Sequence, residues 1–353
     1  MQIDEDKLNA LMGRMVAEFG ALAGAPLVIL GDRLGLYKAM AGAGPMTLDQ
    51  FSDKTGLRLR YAQEWLSAQA ASGFVDYDPK AQTFALSPET ALVLADDNSP
   101  AFMVGGFEVL MSMFNDIDKI QKAFRDGIGL GWHEHHPALF SGTERFFRAG
   151  YNANLEPSWI PSLDGMRERL QAGARVADVG CGFGASTIVL AQAYPQSTFV
   201  GYDYHEPSVN AARERAAAAG VADRVRFEVA GAKTYPGKDF DLVAFFDCLH
   251  DMGDPVGAAR HVRETLAPDG IWMIVEPFAN DRLEDNLNPV GRIFYSASTM
   301  VCTPCSLSQE VGRGLGAQAG EERLREVVVK EGGFTRFRRA AQTPFNLVFE
   351  ARP

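Results

Sequence analysis

The sequence predicts an α/β chain: a doubly wound, mainly parallel sheet in the carboxyl-terminal half, behind an all-helical linker and an N-terminal winged-helix domain. Three observations carry this. Arg175 to Gly184, RVADVGCGFG, is an apolar run closed by glycines and followed by a helical pattern, so it reads as strand, tight turn, helix. From Thr198 to Glu276 strand-like and helix-like segments alternate, the pattern of a parallel sheet covered on both faces. Two strand-like runs at the end, Phe334 to Arg338 and Phe345 to Glu350, lie too close together for a helical crossover and so pair antiparallel.

The elements follow in order. Leu8, Leu11, Met12, Met15, Val16 and Phe19 recur at helical spacing over residues 4–20, an apolar stripe for which a partner subunit is the natural cover. Thr47 and Gln50 fit a capping box, Gly56 turns the chain, and Tyr61, Trp65 and Leu66 give a second helix its apolar face as far as Gly73. Strands at 74–77 and 83–86 complete a winged-helix pattern. The first hundred residues carry 8 basic and 13 acidic groups, a net of −5, which favours a dimerisation module over a DNA reader.

Residues 97–172 read as a helical linker that packs Phe107, Leu110, Met111, Phe114, Ile117 and Phe124 along one face. The expected domains are therefore 1–96, 97–172 and 173–353, the last with an insertion at 277–315 that is long enough to act as a lid or to hold its own helix.

Composition narrows the function. A chain of 353 residues with 34 basic and 45 acidic side chains, a net of −11, is poorly suited to nucleic acid or anionic lipid. The start, MQIDEDK, is acidic where a secretion leader is basic, and the apolar run Ala21 to Leu30 is too short to span a bilayer, so a cytoplasmic protein is expected. Four cysteines are no disulfide framework, and Cys302-x-x-Cys305 reads as a loop coincidence. His133, Glu134, His135 and His136 fall in a glycine- and proline-bounded loop where adjacent side chains diverge, so no metal is expected there.

Gly180, Gly182 and Ala185 alone also satisfy a dinucleotide fingerprint. The neighbours distinguish the readings. Asp178 precedes the first glycine by two residues, Asp203 ends the next strand where a carboxylate accepts ribose hydroxyls, RFFRAGYNAN precedes the turn, and CLHDMGDP follows the fourth strand. With these motifs, residues 145–353 resemble class I S-adenosylmethionine (SAM) dependent methyltransferases, with their Rossmann-like seven-stranded sheet. The whole chain resembles bacterial winged-helix small-molecule methyltransferases.

The resemblance implies SAM as cofactor, S-adenosylhomocysteine (SAH) as product, a homodimer, and methyl transfer to a small, largely apolar acceptor at oxygen. It implies Asp178, Gly180, Cys181 and Gly182 at the methionine moiety, Phe147 and Tyr151 lining that end, Asp203 on the ribose, and Tyr204 against the adenine. Gly231 and Ala232 lie where the family often has an acid that bonds the adenine, and Asp247 faces the same mouth. His250 matches the histidine that abstracts the acceptor's proton, and an imidazole titrates in the range that work needs. Met252 stands where the family has a tryptophan. Two alternatives are an NAD-linked oxidoreductase, disfavoured by Asp178 and the terminal strand pair, and a SAM-responsive winged-helix regulator.

Overall fold

A computed structural model describes residues 3–353, which fold as two compact units: residues up to Met111 with Ser141–Ala149, and Ser112–Phe140 with Gly150–Pro353. The segment 97–172 is thus divided between the units.

The first unit begins with α1 (Glu5–Arg33), capped by Asp4, whose carboxylate accepts from the Lys7 amide. This helix is longer than the stripe at 4–20 suggests, because it continues through Pro26. Its second half is anchored: Val28 and Ile29 are buried, and a Cβ on Gly31 would come within 2.6 Å of the Trp65 ring. Its first half is not, and Leu11, Met12, Val16 and Phe19 are all exposed. Among the described residues α1 is the one helix long and apolar enough to cross a membrane, a property that the ten-residue run alone concealed.

After α2 (Leu36–Met40) and β1 (Met46–Thr47), α3 (Leu48–Thr55) opens on the expected capping box, with Thr47 and Gln50 each accepting the other's amide. Gly56 closes it in the left-handed region at φ +69°. α4 (Leu59–Ala71), β2 (Asp76–Asp78), β3 (Thr83–Ala85) and α5 (Pro88–Leu94) complete a winged helix whose sheet has the order β1-β3-β2. The two-residue β1 is too short to leave a periodic signal in sequence. Arg145 ties the unit internally, bonding Asp32, Asp97 and Glu108 at 2.6–2.9 Å.

Three helices follow: α6 (Val104–Asn115), α7 (Ile117–Asp126) and α8 (Ala138–Asn154), and α9 (Met166–Ala172) then leads into the sheet. Its strands are β4 (Arg175–Val179), β5 (Thr198–Asp203), β6 (Val225–Val229), β7 (Phe240–Phe246), β8 (Leu266–Pro277), β9 (Arg336–Gln342) and β10 (Asn346–Arg352). They lie in the order β6-β5-β4-β7-β8-β10-β9, the first five parallel and β10 antiparallel to both its neighbours. α10 (Ala185–Ala193), α11 (Glu206–Ala218) and α12 (Pro255–Thr265) are the crossovers. Val243, Phe245, Trp272 and Ile274 on one face and Leu242, Ala244, Met273 and Val275 on the other are all fully buried, so burial on both faces accounts for the near-continuous apolar runs of the central strands.

The insertion is helical. It carries α13 (Pro289–Ala297), a π-helical turn Ser298–Cys302 and α14 (Thr303–Leu307) before α15 (Gly320–Arg325). The Cys302-x-x-Cys305 pair, expected in a loop, therefore lies on a continuous helical stretch with both thiols buried.

Candidate functional site

Five parallel strands end on one edge of the sheet, and the carboxylates sit at that edge. Asp178, on β4, is buried among its neighbours, and its Oδ2 accepts from the hydroxyls of Ser186 and Thr187, both at 2.6 Å. Its Oδ1 is buried without a hydrogen bond. Burial pushes this carboxyl up to about 6, against the two hydroxyls, with nearby Asp203 adding to the rise.

The turn that follows is tied to the end of β5. Its first amides bond within the protein: Gly180 and Cys181 donate to the Tyr202 carbonyl at 2.7 and 3.1 Å, and Gly182 donates to Asp203 Oδ2 at 2.9 Å. These three amides are therefore already satisfied within the protein. Gly182 has φ +51° with open space beside its Cα, whereas a Cβ on Gly184 at φ +78° would meet the Phe227 ring at 2.5 Å. One glycine leaves room for a ligand and the other lets helix and sheet close.

Asp203 ends β5, and its Oδ1 accepts from the His205 amide at 2.8 Å. Burial raises its pKa, and the backbone amides of His205 and Gly182 oppose that rise. Tyr204 beside it is half exposed, its ring 6.4 Å from that of His133. The loop after β6 reaches the same tip, because Ala230 donates to the Asp203 carbonyl at 3.0 Å and thereby brings Gly231 and Ala232 alongside.

Tyr151 is buried with its ring 5.2 Å from Phe246 and its hydroxyl 3.5 Å from Asp247. Phe147, paired with it in the sequence reading, belongs to the first unit and packs edge-on against Phe146 at 5.3 Å.

Asp247 terminates β7 at φ +50°, a left-handed conformation that an aspartate adopts rarely and at a cost of roughly 1 kcal/mol or more. Asn346, at the start of β10 on the far side of β8, donates to its Oδ1 at 2.8 Å. Burial, then the charge of Glu276, holds this carboxyl well above the usual carboxylate range.

His250 follows in a tight turn, Leu249–Asp251, and is 3% exposed. Its Nδ1 lies 2.6 Å from Glu276 Oε2 at the end of β8, and the other oxygen of Glu276 accepts from the Leu249 amide at 3.0 Å. Its Nε2 lies 3.1 Å from Asp251 Oδ1. Burial disfavours the imidazolium, but Glu276 and then Asp251 outweigh it and lift the imidazole well above its ordinary value. The orienting carboxylate is therefore Glu276, 26 residues downstream, and not only the adjacent Asp251.

Glu276 is missing from the residues that the sequence singles out. The available signal was a lone carboxylate closing the apolar run IWMIVEP, where nothing but a partner justifies burial. Asn346 carried no such signal. In the loop that carries His133, Glu134, His135 and His136, His135 is buried with its Nδ1 2.9 Å from Asp116 at the start of α7. Between the insertion and the start of α15 a cavity of about 210 Å³ is lined by Asn280, Asp281, Tyr295, Ser298, Gln318 and Arg323 among others.

Five parallel strands closed by an antiparallel pair, with an acid and a glycine turn after the first parallel strand, define a class I methyltransferase fold. Residues 170–329 match the family described as methyltransferase domain, and residues 23–96 match the Rv2258c-like winged HTH domain. The chain thus joins a winged helix-turn-helix domain to a methyltransferase domain.

Among curated proteins, 27-O-demethylrifamycin SV methyltransferase of Amycolatopsis mediterranei is 34% identical over 44% of this chain and 56% of that protein, so the chain spans about half of that relative's length. Among solved structures, human N-acetylserotonin methyltransferase in complex with SAM superposes with a TM-score of 0.71 at 15% identity, over 100% of this chain and 99% of that one. An O-methyltransferase family protein from Burkholderia thailandensis gives 0.70 at 16% identity, over 100% and 99%. At these identities the likeness is one of fold.

Proposed function

We propose that this protein is a SAM-dependent methyltransferase (EC 2.1.1) acting on the oxygen of a small, largely apolar acceptor. The observation that carries the reading is the His250–Glu276 pair at the ends of β7 and β8, on the same sheet edge as Asp178 and Asp203. When bound, SAM supplies an electrophilic methyl group on a sulfonium.

The residues fit that cofactor. Asp178 offers a buried carboxylate oxygen that lacks a donor, which an ammonium group would satisfy, and Gly182 leaves space beside the turn. Asp203 holds a carboxylate at the strand tip for ribose hydroxyls, and Tyr204 presents a half-exposed ring beside it. Glu276 fixes the imidazole of His250 through Nδ1, so that Nε2 is the atom that receives the acceptor's proton. Burial of the pair excludes water, and holding donor and acceptor in line accounts for much of the acceleration.

The exposed apolar stripe of α1 supports a homodimer. A membrane-spanning α1 would have to withdraw Val28 and Gly31 from the core of the first unit, and the indole of Trp65 donates to the Leu27 carbonyl at 3.0 Å. A DNA-reading role has little support in α4, where Arg60 is already paired with Glu64.

Thermal unfolding with SAM, SAH and NADH tests the cofactor, since a ligand that binds only the folded state raises the Tm. SAM and SAH are expected to raise it and NADH to leave it unchanged. The reverse would overturn the assignment.

A further inference from the structure

His250, Asp251 and Cys302 bring one imidazole nitrogen, one carboxylate oxygen and one thiol sulfur within 4.8 Å of one another. They come from two elements, the turn after β7 and the helical insertion. His250 and Cys302 are buried, and Asp251 is partly exposed. Asp251 Oδ1 is itself shielded from solvent, with His250 Nε2 3.1 Å away. A buried carboxylate oxygen beside an imidazole nitrogen and a thiol completes a set of three donors that a cation can take up in place of the protons they carry.

We propose that these three side chains form a binding site for a borderline-soft divalent cation of the zinc type. The donor set is the argument. Thiolate and imidazole select such ions over magnesium and calcium, which take oxygen ligands. In a tetrahedral zinc site, bond lengths of about 2.0–2.3 Å separate neighbouring donor atoms by roughly 3.5 Å, so the observed cluster closes with small side-chain rotations. Glu276 supplies the outer hydrogen bond: at 2.6 Å from Nδ1 it fixes the ring so that Nε2 faces the cluster, the carboxylate–histidine arrangement of metal sites. Three protein donors leave the fourth position to solvent. On binding, the Cys302 thiol and the Nε2–H of the His250 imidazolium both give their protons to solvent, and the sulfur–metal and nitrogen–metal bonds form in their place.

The ion would occupy His250 Nε2, the atom given above to the acceptor's proton. Inhibition of methyl transfer therefore rests on that reading, while binding does not.

Cobalt titration of the full chain, freed of metal by a chelator, separates the two. Thiolate ligation gives a sulfur-to-cobalt charge-transfer absorption in the near ultraviolet, independent of turnover. The site predicts this band at one equivalent, its loss on adding zinc, its absence in Cys302→Ser, and cobalt binding about 10- to 100-fold weaker in Glu276→Gln. If Cys302→Ser does not fold by circular dichroism, Asp251→Asn serves, with binding at least tenfold weaker expected. A folded protein that gives no band, or a band undiminished in the folded Cys302→Ser or Asp251→Asn variant, overturns the proposal. Zinc that binds without slowing methyl transfer leaves the site standing and removes His250 Nε2 from catalysis.

Discussion

The two ring nitrogens of His250 face different carboxylates, and this sets how the residue titrates. Glu276 at 2.6 Å stabilises the imidazolium, so below its elevated pKa the base already carries a proton and turnover falls as pH falls. Replacing Glu276 by Gln removes that charge and lowers the imidazole's pKa. The acid limb of kcat against pH then moves to lower pH, while maximal turnover drops because the ring is held less firmly. A limb that stays in place would show that the limb reports another group. Asp178 carries the second pH effect. Its carboxyl is at about 6 in the folded protein against 3.8 for an unperturbed aspartate, so the folded state holds the proton more tightly. The stabilisation is fully present below the unfolded value and is lost as pH rises through about 6, a swing on the order of 3 kcal/mol. Asp178→Asn flattens this part of the profile, and urea unfolding at pH values on either side of the window measures it. Parallel wild-type and variant profiles would contradict it. Residue by residue the sequence is uneven: Asp178, Asp203 and His250 stand beside strand ends and turns where local pattern marks them, but Glu276 and Asn346 act through partners about 26 and 99 residues away in the chain, which no local pattern encodes.

Among the elements, the glycine turn joins sheet and helix by close approach. Gly184 combines φ +78° with a position where an added Cβ would lie 2.5 Å from Phe227, a ring packed in the sheet and not at the end of a flexible chain. Gly184→Ala is expected to cost about 1–3 kcal/mol from the strained backbone and the displaced ring, read as a lower Tm. An unchanged Tm would mean that the turn relaxes freely. The strands that sequence displays best are the buried ones, β4, β7 and β8, because their apolar runs are continuous. The helical insertion was legible only as a long segment, since its glycines, asparagines and serines mask the short helices α13 and α14. That masking also hid Cys302 behind His250.

For the chain as a whole, α1 shows half of its role in sequence. The stripe from Leu8 to Phe19 is periodic and legible, but the continuation through Pro26 is held by packing of Val28 and Gly31, which periodicity does not reveal. Deleting residues 1–20 is expected to convert a dimer into a monomer by light scattering, and an unchanged mass would place the interface elsewhere. The molecule works, on the reading proposed above, by holding SAM at the tips of β4 and β5 while His250 takes the acceptor's proton. His250→Ala, measured by calorimetry with SAM and by turnover on a hydroxyl acceptor found from a panel of phenols, carboxylates and amines, probes both halves of that division at once. SAM affinity is expected to stay nearly intact and turnover to fall at least a hundredfold, within the 10²- to 10⁴-fold that a positioned base contributes. Full turnover in the variant, or wild-type protein that binds no SAM, would contradict it.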